Sequence, residues 1–281
     1  MKTNIYVKRK GKGSCIRLCG LLCLCFTILA LAGCEGNMSE GLADDSSYEA
    51  RLEEAMIALD DRDYARAKSI LTELNADYPN DPTILQYLSN ALAGLAGIDT
   101  LNLLEIIEAI NEDHDAGSID MIGQILGDAN GVLTANEIEE DLNNINAAIA
   151  ALGAISEANR TDDQTVQLGL FSLSRAVLTI ADIIAEDTGE QSITLTEEGI
   201  SALYPTEPEF SDVLTINDSR LTTLSEDTQN INNSIDSIAS ISGEDSDNDL
   251  SENFGDFSDE IDTDGEEGIS IADLEDFIGG L

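Results

Sequence analysis

From Tyr48 onward, apolar side chains recur at the three- and four-residue spacing of helices. Leu52, Ala55, Met56 and Leu59 form one such series, and after a polar break at 60–63 the series Tyr64, Ala67, Ile70, Leu71 and Leu74 forms the next. Pro79 and Pro82 bracket a turn, and Ile84, Leu85, Leu88, Leu92 and Leu95 predict a helix that runs out near Gly97. Further on, Leu101, Leu104, Ile107 and Ile110 share one face, as do Leu142, Ile145, Ile149, Leu152 and Ile155. The stretch Val166 to Ile184 is apolar nearly all round, which predicts a central buried helix. Arg175, Gln167 and its serines argue against a membrane crossing there. Ile231, Ile235, Ile238 and Ile241 line a short helix, whereas 243–258, rich in Ser, Asn and Asp, predicts a disordered acidic segment. The pattern predicts an all-α fold.

Ahead of Tyr48 the pattern is different. Residues 35–47 are polar and read as a flexible tether. An apolar run of 15 residues, Leu18 to Ala32, follows a basic start containing Lys2, Lys8, Arg9, Lys10, Lys12 and Arg17, and ends at Gly33-Cys34. This three-part design is that of a secretory signal, and the run is short of the roughly 20 residues a spanning helix needs. Leu31-Ala32-Gly33-Cys34 resembles the bacterial lipobox. That resemblance implies cleavage before Cys34, attachment of diacylglycerol to its sulfur, and a lipid anchor in the cell envelope. Glu35, which is not the aspartate of inner-membrane retention, points by the same resemblance to the outer membrane.

Processing at Cys34 sharpens the charge. All five cysteines lie at or before position 34, so the remaining chain holds no disulfide and must rest on core packing or ions. It keeps seven basic residues against 56 acidic ones, a formal charge of −49. Nucleic acid is excluded as a partner, because its phosphates demand the opposite sign. Anionic lipid headgroups also repel such a surface, which leaves the acyl chains to hold the membrane. Self-repulsion on this scale opposes a compact state unless cations or solvent offset it. Catalytic equipment is sparse: the one histidine, His114, lies in the acidic run 111–115 and reads as a solvated turn residue, and no nucleophile-base pairing or phosphate loop can be assembled. The chain is expected not to be an enzyme.

Ala55, Tyr64, Ala67, Leu71 and Pro79, with Leu85, Leu88 and Leu92 one 34-residue period on from the first series, resemble the small, aromatic and apolar positions of a tetratricopeptide repeat. The run DRDYARAKSILTELNADYPNDP is similar to those of outer-membrane assembly lipoproteins. The resemblance covers about 50 residues and implies a helical region, 48–99, that packs on the helices after it and binds a protein or peptide.

Three acidic stretches carry a second resemblance. An EF-hand loop sets oxygen ligands at positions 1, 3 and 5, a small residue near 6, an apolar residue at 8 and a carboxylate at 12, because Ca²⁺ takes six to eight hard oxygens from alternate residues of a tight turn. Asp262, Asp264 and Glu266, with Ile269, Ser270 and Asp273, resemble EF-hand and dockerin-type loops, although Gly268 falls one place late. Asp128, Asn130, Gly131, Leu133, Thr134 and Glu137 match positions 3, 5, 6, 8, 9 and 12, with Leu126 unable to ligate at position 1. Glu186, Thr188, Glu190, Ile193, Thr194 and Glu197 repeat the pattern with Gln191 in place of glycine. Calcium, bound as a structural ion, is the cofactor the resemblance implies. The alternative is that Ser or Thr with an acid three residues later is a helix capping box.

The expected organisation is a signal peptide (1–33), a tether (34–47), repeat-like helices (48–99), a helical domain with degenerate loops (100–220), an acidic low-complexity linker (221–261) and a C-terminal calcium loop with a short helix (262–281). The expected function is that of a membrane-anchored, non-enzymatic interaction scaffold with a protein or peptide partner. The alternative is an accessory factor for envelope assembly or transport in which the acidity only solubilises.

Overall fold

The computed structural model describes residues 47–98, 119, 123, 131–204, 208–242, 249–262 and 268–281. The chain divides into a unit over Met1–Ala50 and a unit over Arg51–Leu281. Of the first, residues 47–50 are described, and there the Ala50 amide donates to Ser47 Oγ at 3.2 Å as helix α1 (Tyr48–Asp60) begins. All that follows concerns Arg51 onward.

The structure is mostly helical, as the spacing predicts. Helices α2 (Tyr64–Asp77) and α3 (Pro82–Leu95) start where sequence chemistry places caps: Asp63 accepts from Arg66 N, and Asp81, followed by proline, accepts from Thr83 N and Ile84 N. They pack as neighbours. Ala55, Ala67, Leu71, Leu74 and Ile84 are fully buried, and the Tyr64 ring lies against Gly94, where any side chain would collide with it.

Helix α4 (Ala135–Gly153) packs between α3 and α5 (Asp162–Thr188). Almost every residue of α5 from Val166 to Ile184 is buried, so this helix is the centre of the core. It is long and apolar enough to cross a membrane, yet its most apolar window is 89% buried inside the protein. Thr161 and Gln164 close a capping box at its start, and Gly189, with φ +71°, ends it. Two short strands, β1 (Val132–Thr134) and β2 (Ser192–Thr194), pair antiparallel with Leu133 opposite Ile193. Helix α6 (Glu197–Ser201) follows β2.

The segment 221–261, expected as an acidic linker, departs from that reading. It is occupied by most of α7 (Ser219–Ser242) and by α8 (Asp249–Ile261), with 243–248 outside the described residues. The reason is burial. Leu221, Leu224, Ile231 and Ile238 seal α7 onto α5, and Phe254, Phe257 and Ile261 of α8 join the same core, while Glu226, Asp236, Asp256, Asp259 and Glu260 face outward. Helix α9 (Ile271–Gly280) closes the chain, with the Phe257 and Phe277 rings edge to face at 5.8 Å.

Among the described residues, one ion pair lies inside this core. Arg175 of α5 donates from Nε and Nη2 to Asp227 of α7 at 2.7–2.9 Å, and from Nη1 to Asn146 of α4 at 3.1 Å. Asp227 is fully buried, so three helices are tied through one guanidinium.

Candidate functional site

The 186–197 and 262–273 patterns lie between helices, and the 126–137 pattern leads into one. In the 126–137 pattern, Gly131 has φ +67°, the left-handed conformation that glycine adopts without strain, and its position is the sixth. Leu133, the eighth, is 4% exposed and is paired with Ile193, the eighth residue of the 186–197 pattern, which is fully buried. The ladder is extended at both ends: Ala135 N donates to Gln191 O at 3.0 Å and Leu195 N to Gly131 O at 2.8 Å. The exiting helix begins at Ala135, the tenth position. Glu137, the twelfth, turns back on its own helix end, where Thr134 N and Oγ1 donate to Oε2 at 2.8 and 2.7 Å and Glu137 N donates to Thr134 Oγ1 at 3.3 Å. This is a complete capping box. Asp128 and Asn130 lie outside the described residues, as do Leu126, His114 and Cys34.

The C-terminal pattern sits between α8 and α9. Asp262 follows the last residue of α8, and its amide donates to Ser258 O at 3.3 Å. Asp264 and Glu266 lie outside the described residues. Gly268, the seventh position, has φ +98°. Among the described residues no strand pairs with Ile269; its amide donates to Ser225 Oγ of α7 at 2.7 Å, and Ser225 in turn donates to Leu221 O at 2.8 Å. Helix α9 begins at Ile271, the tenth position. Asp273, the twelfth, is 2% exposed and closes a second capping box, accepting from Ser270 N at 2.9 Å and Ser270 Oγ at 2.6 Å. Both position-12 acids are therefore engaged with the backbone in this state, and a metal would draw on them only by displacing those bonds.

The middle pattern does not fit a metal. Glu186, at position 1, is paired with Arg220 at 2.7 Å. Its helix begins at Glu197, two residues later than in the other two, after Thr196 accepts from Gly199 N. Tyr204 donates to Asp187 Oδ2 at 3.0 Å, and burial followed by that carboxylate raises its phenol above the ordinary range. Among the described residues, no group of three or more His, Cys, Asp or Glu side chains is arranged to hold a metal ion.

A cleft of about 370 Å³ formed by α6, α8 and α9 is lined by Glu197, Glu260, Asp276, Phe277, Gly280 and Leu281. Burial, and then Asp256, push the Glu260 carboxyl upward. Only Glu197 belongs to a pattern readable in the sequence; Glu260 and Asp276 lie on separate helices that meet through folding.

Comparison with protein-family models, curated proteins and solved structures gives no match for this chain.

Proposed function

We propose that this chain is a non-enzymatic, lipid-anchored interaction protein of the bacterial envelope, in which an N-terminal helical hairpin engages a protein or peptide and two EF-hand-like loops, 126–137 and 262–273, take Ca²⁺ as a structural ion. The observation that carries the calcium part is the antiparallel pairing of Leu133 with Ile193, eighth residue to eighth residue, with left-handed Gly131 just before it and a helix starting at the tenth position after it. Asp128, Asn130 and Glu137 would hold the ion in one loop, and Asp262, Asp264, Glu266 and Asp273 in the C-terminal one. The partner-binding part is supported by exposed apolar groups on the hairpin, Met56 (40% exposed), Ile57 (52%) and Tyr78 (46%). The anchor is supported by the lipobox-like run ending at Cys34.

Isothermal calorimetry on the detergent-solubilised full chain tests the metal. Heat at millimolar Ca²⁺, reduced by Asp262→Ala with Asp264→Ala, is expected; no heat and no gain in thermal stability ends the calcium reading. Mass spectrometry of the membrane fraction tests the anchor, with diacylglycerol on Cys34 expected and its absence decisive. A second reading, an assembly or transport accessory without metal, is favoured by the two capping boxes, which already engage Glu137 and Asp273. It predicts no calcium heat but retained partner capture, with Ile57→Glu abolishing capture in either case.

A further inference from the structure

The loop that starts at Glu186 has a cation of its own. Arg220 stands at the beginning of α7 and spends its whole guanidinium on neighbours: Nε on Asp218 Oδ1 at 3.1 Å, Nη2 on Asp218 Oδ2 and on the Val213 carbonyl at 3.1 Å each, Nη1 on Glu186 Oε2 at 2.7 Å and on Asp182 Oδ2 at 3.4 Å. Five N–H donors are all that a guanidinium has. Asp218 is fixed in turn by accepting from the Arg220 backbone amide at 2.9 Å. The side chains of Arg220 and Asp218 are about one-fifth exposed (21% and 19%), whereas Asp182 and Glu186 are more open at 45% and 55%.

Three carboxylates and a carbonyl oxygen are ligand types a hard divalent cation uses, though fewer than the six to eight oxygens Ca²⁺ takes. Here the positive centre is covalently part of the chain. Asp182 and Glu186 are also four residues apart on α5, a spacing at which like charges on a helix oppose it. A lone surface ion pair contributes little. One guanidinium shared among three acids, where only seven cations lie past Cys34, is a different case, because removing it leaves all three uncompensated.

We propose that Arg220 is a built-in counterion that takes the place of a metal at this loop, clamping the end of α5, the 213–218 turn and the start of α7 without any divalent ion. The clamp holds β2 in place to receive β1, so the Leu133–Ile193 pair exists before any ion reaches the facing loop. The inference goes beyond the calcium reading and stands whether or not the other two loops bind metal.

The test compares the full chain with Arg220→Gln and Arg220→Lys. In chelator, Arg220→Gln is expected to melt roughly 5 °C below wild type, with Arg220→Lys between the two. Millimolar Ca²⁺ should then restore more of the Arg220→Gln loss than NaCl of equal ionic strength. Tyr204, bonded to the residue after Glu186, provides a local reporter: Tb³⁺ emission excited through tyrosine should rise in Arg220→Gln over wild type, and the rise should vanish when Tyr204→Phe is added. An Arg220→Gln chain that melts with wild type in chelator overturns the proposal. So does recovery no better than with NaCl and no gain of Tb³⁺ emission. Should Arg220→Gln fail to fold, hydrogen exchange at the Leu195 amide of wild type in chelator decides: slow exchange is expected, and exchange at the unprotected rate overturns it. A calcium response of wild type itself speaks to the other two loops and leaves this comparison intact.

Discussion

Asp141 on α4 has its carboxyl pushed up to about 6, first by burial and then by Glu140 and Glu137 beside it. The folded state thus binds this proton more tightly than the unfolded chain does. The resulting stabilisation is complete below the ordinary carboxylate range and is lost as pH rises through about 6. Asn mimics the protonated form, so Asp141→Asn should stabilise the fold at pH 7.5 by about 1 kcal/mol, after discounting for the half-exposed position. The advantage should fade by pH 4.5, and paired thermal melts at the two pH values check it. Asp227 is a different case. Burial pushes its carboxyl up while the bonds and charge of Arg175 pull it down. The pair need not stabilise the fold relative to an apolar pair, but breaking it strands a charge in the core. Asp227→Asn is expected to cost about 3–5 kcal/mol in denaturant unfolding, and Arg175→Met with Asp227→Leu far less.

At the scale of elements, the junction of β1 with β2 depends on two glycines. A Cβ on Gly123 would run into the Leu195 carbonyl oxygen, just after β2, so the close approach needs a residue without a side chain. Gly131 carries positive φ at the turn before β1. Gly123→Ala should cost about 1–3 kcal/mol through overpacking, and Gly131→Ala about 1–2 kcal/mol through backbone strain. Both should speed hydrogen exchange at Leu195, whose amide donates to Gly131 O; unchanged protection would mean the strands hold independently of these residues. The helices were legible in sequence because their apolar spacing and caps are local, as with Thr134 and Glu137 at the start of α4. The tail was misread for a related reason. Its acidic, serine-rich composition suggested disorder, yet Phe254, Phe257 and Ile261 repeat at helical spacing and find α5, α7 and α9 only through folding. The Arg220 node joins residues 34 apart, and the Ser225–Ile269 bond residues 44 apart, which no local pattern encodes. Loop position 8 was legible as an apolar residue, but its role as a strand partner was not.

For the whole molecule, the decisive quantity is the imbalance of charge. Past Cys34 there are seven basic residues for 56 acidic ones, and the structure places several of the seven where one cation serves more than one acid. Arg51 reaches Glu73 and Asp77, Arg175 reaches Asp227 and Glu226, and Arg220 reaches Asp182, Glu186 and Asp218. Among the described residues most of the remaining acids face solvent, where their mutual repulsion acts over the Debye length, about 30 Å at 0.01 M salt and about 10 Å at 0.1 M. That repulsion is long-ranged in dilute buffer and short-ranged in concentrated buffer, while the buried Arg175–Asp227 pair is screened at neither. Raising NaCl from about 0.01 to about 0.5 M in chelator should therefore raise the melting temperature by several degrees, most steeply at the low end. The competing expectation is that salt weakens the surface ion pairs and lowers stability; with so few cations against so many acids, relief of repulsion outweighs that loss. Scanning calorimetry across the salt series checks the sign, and a flat or falling curve would mean that the scarce arginines already balance the surface. Adding Ca²⁺ at constant ionic strength then separates a specific ion from general screening, since only a specific ion shifts the curve at the salt plateau.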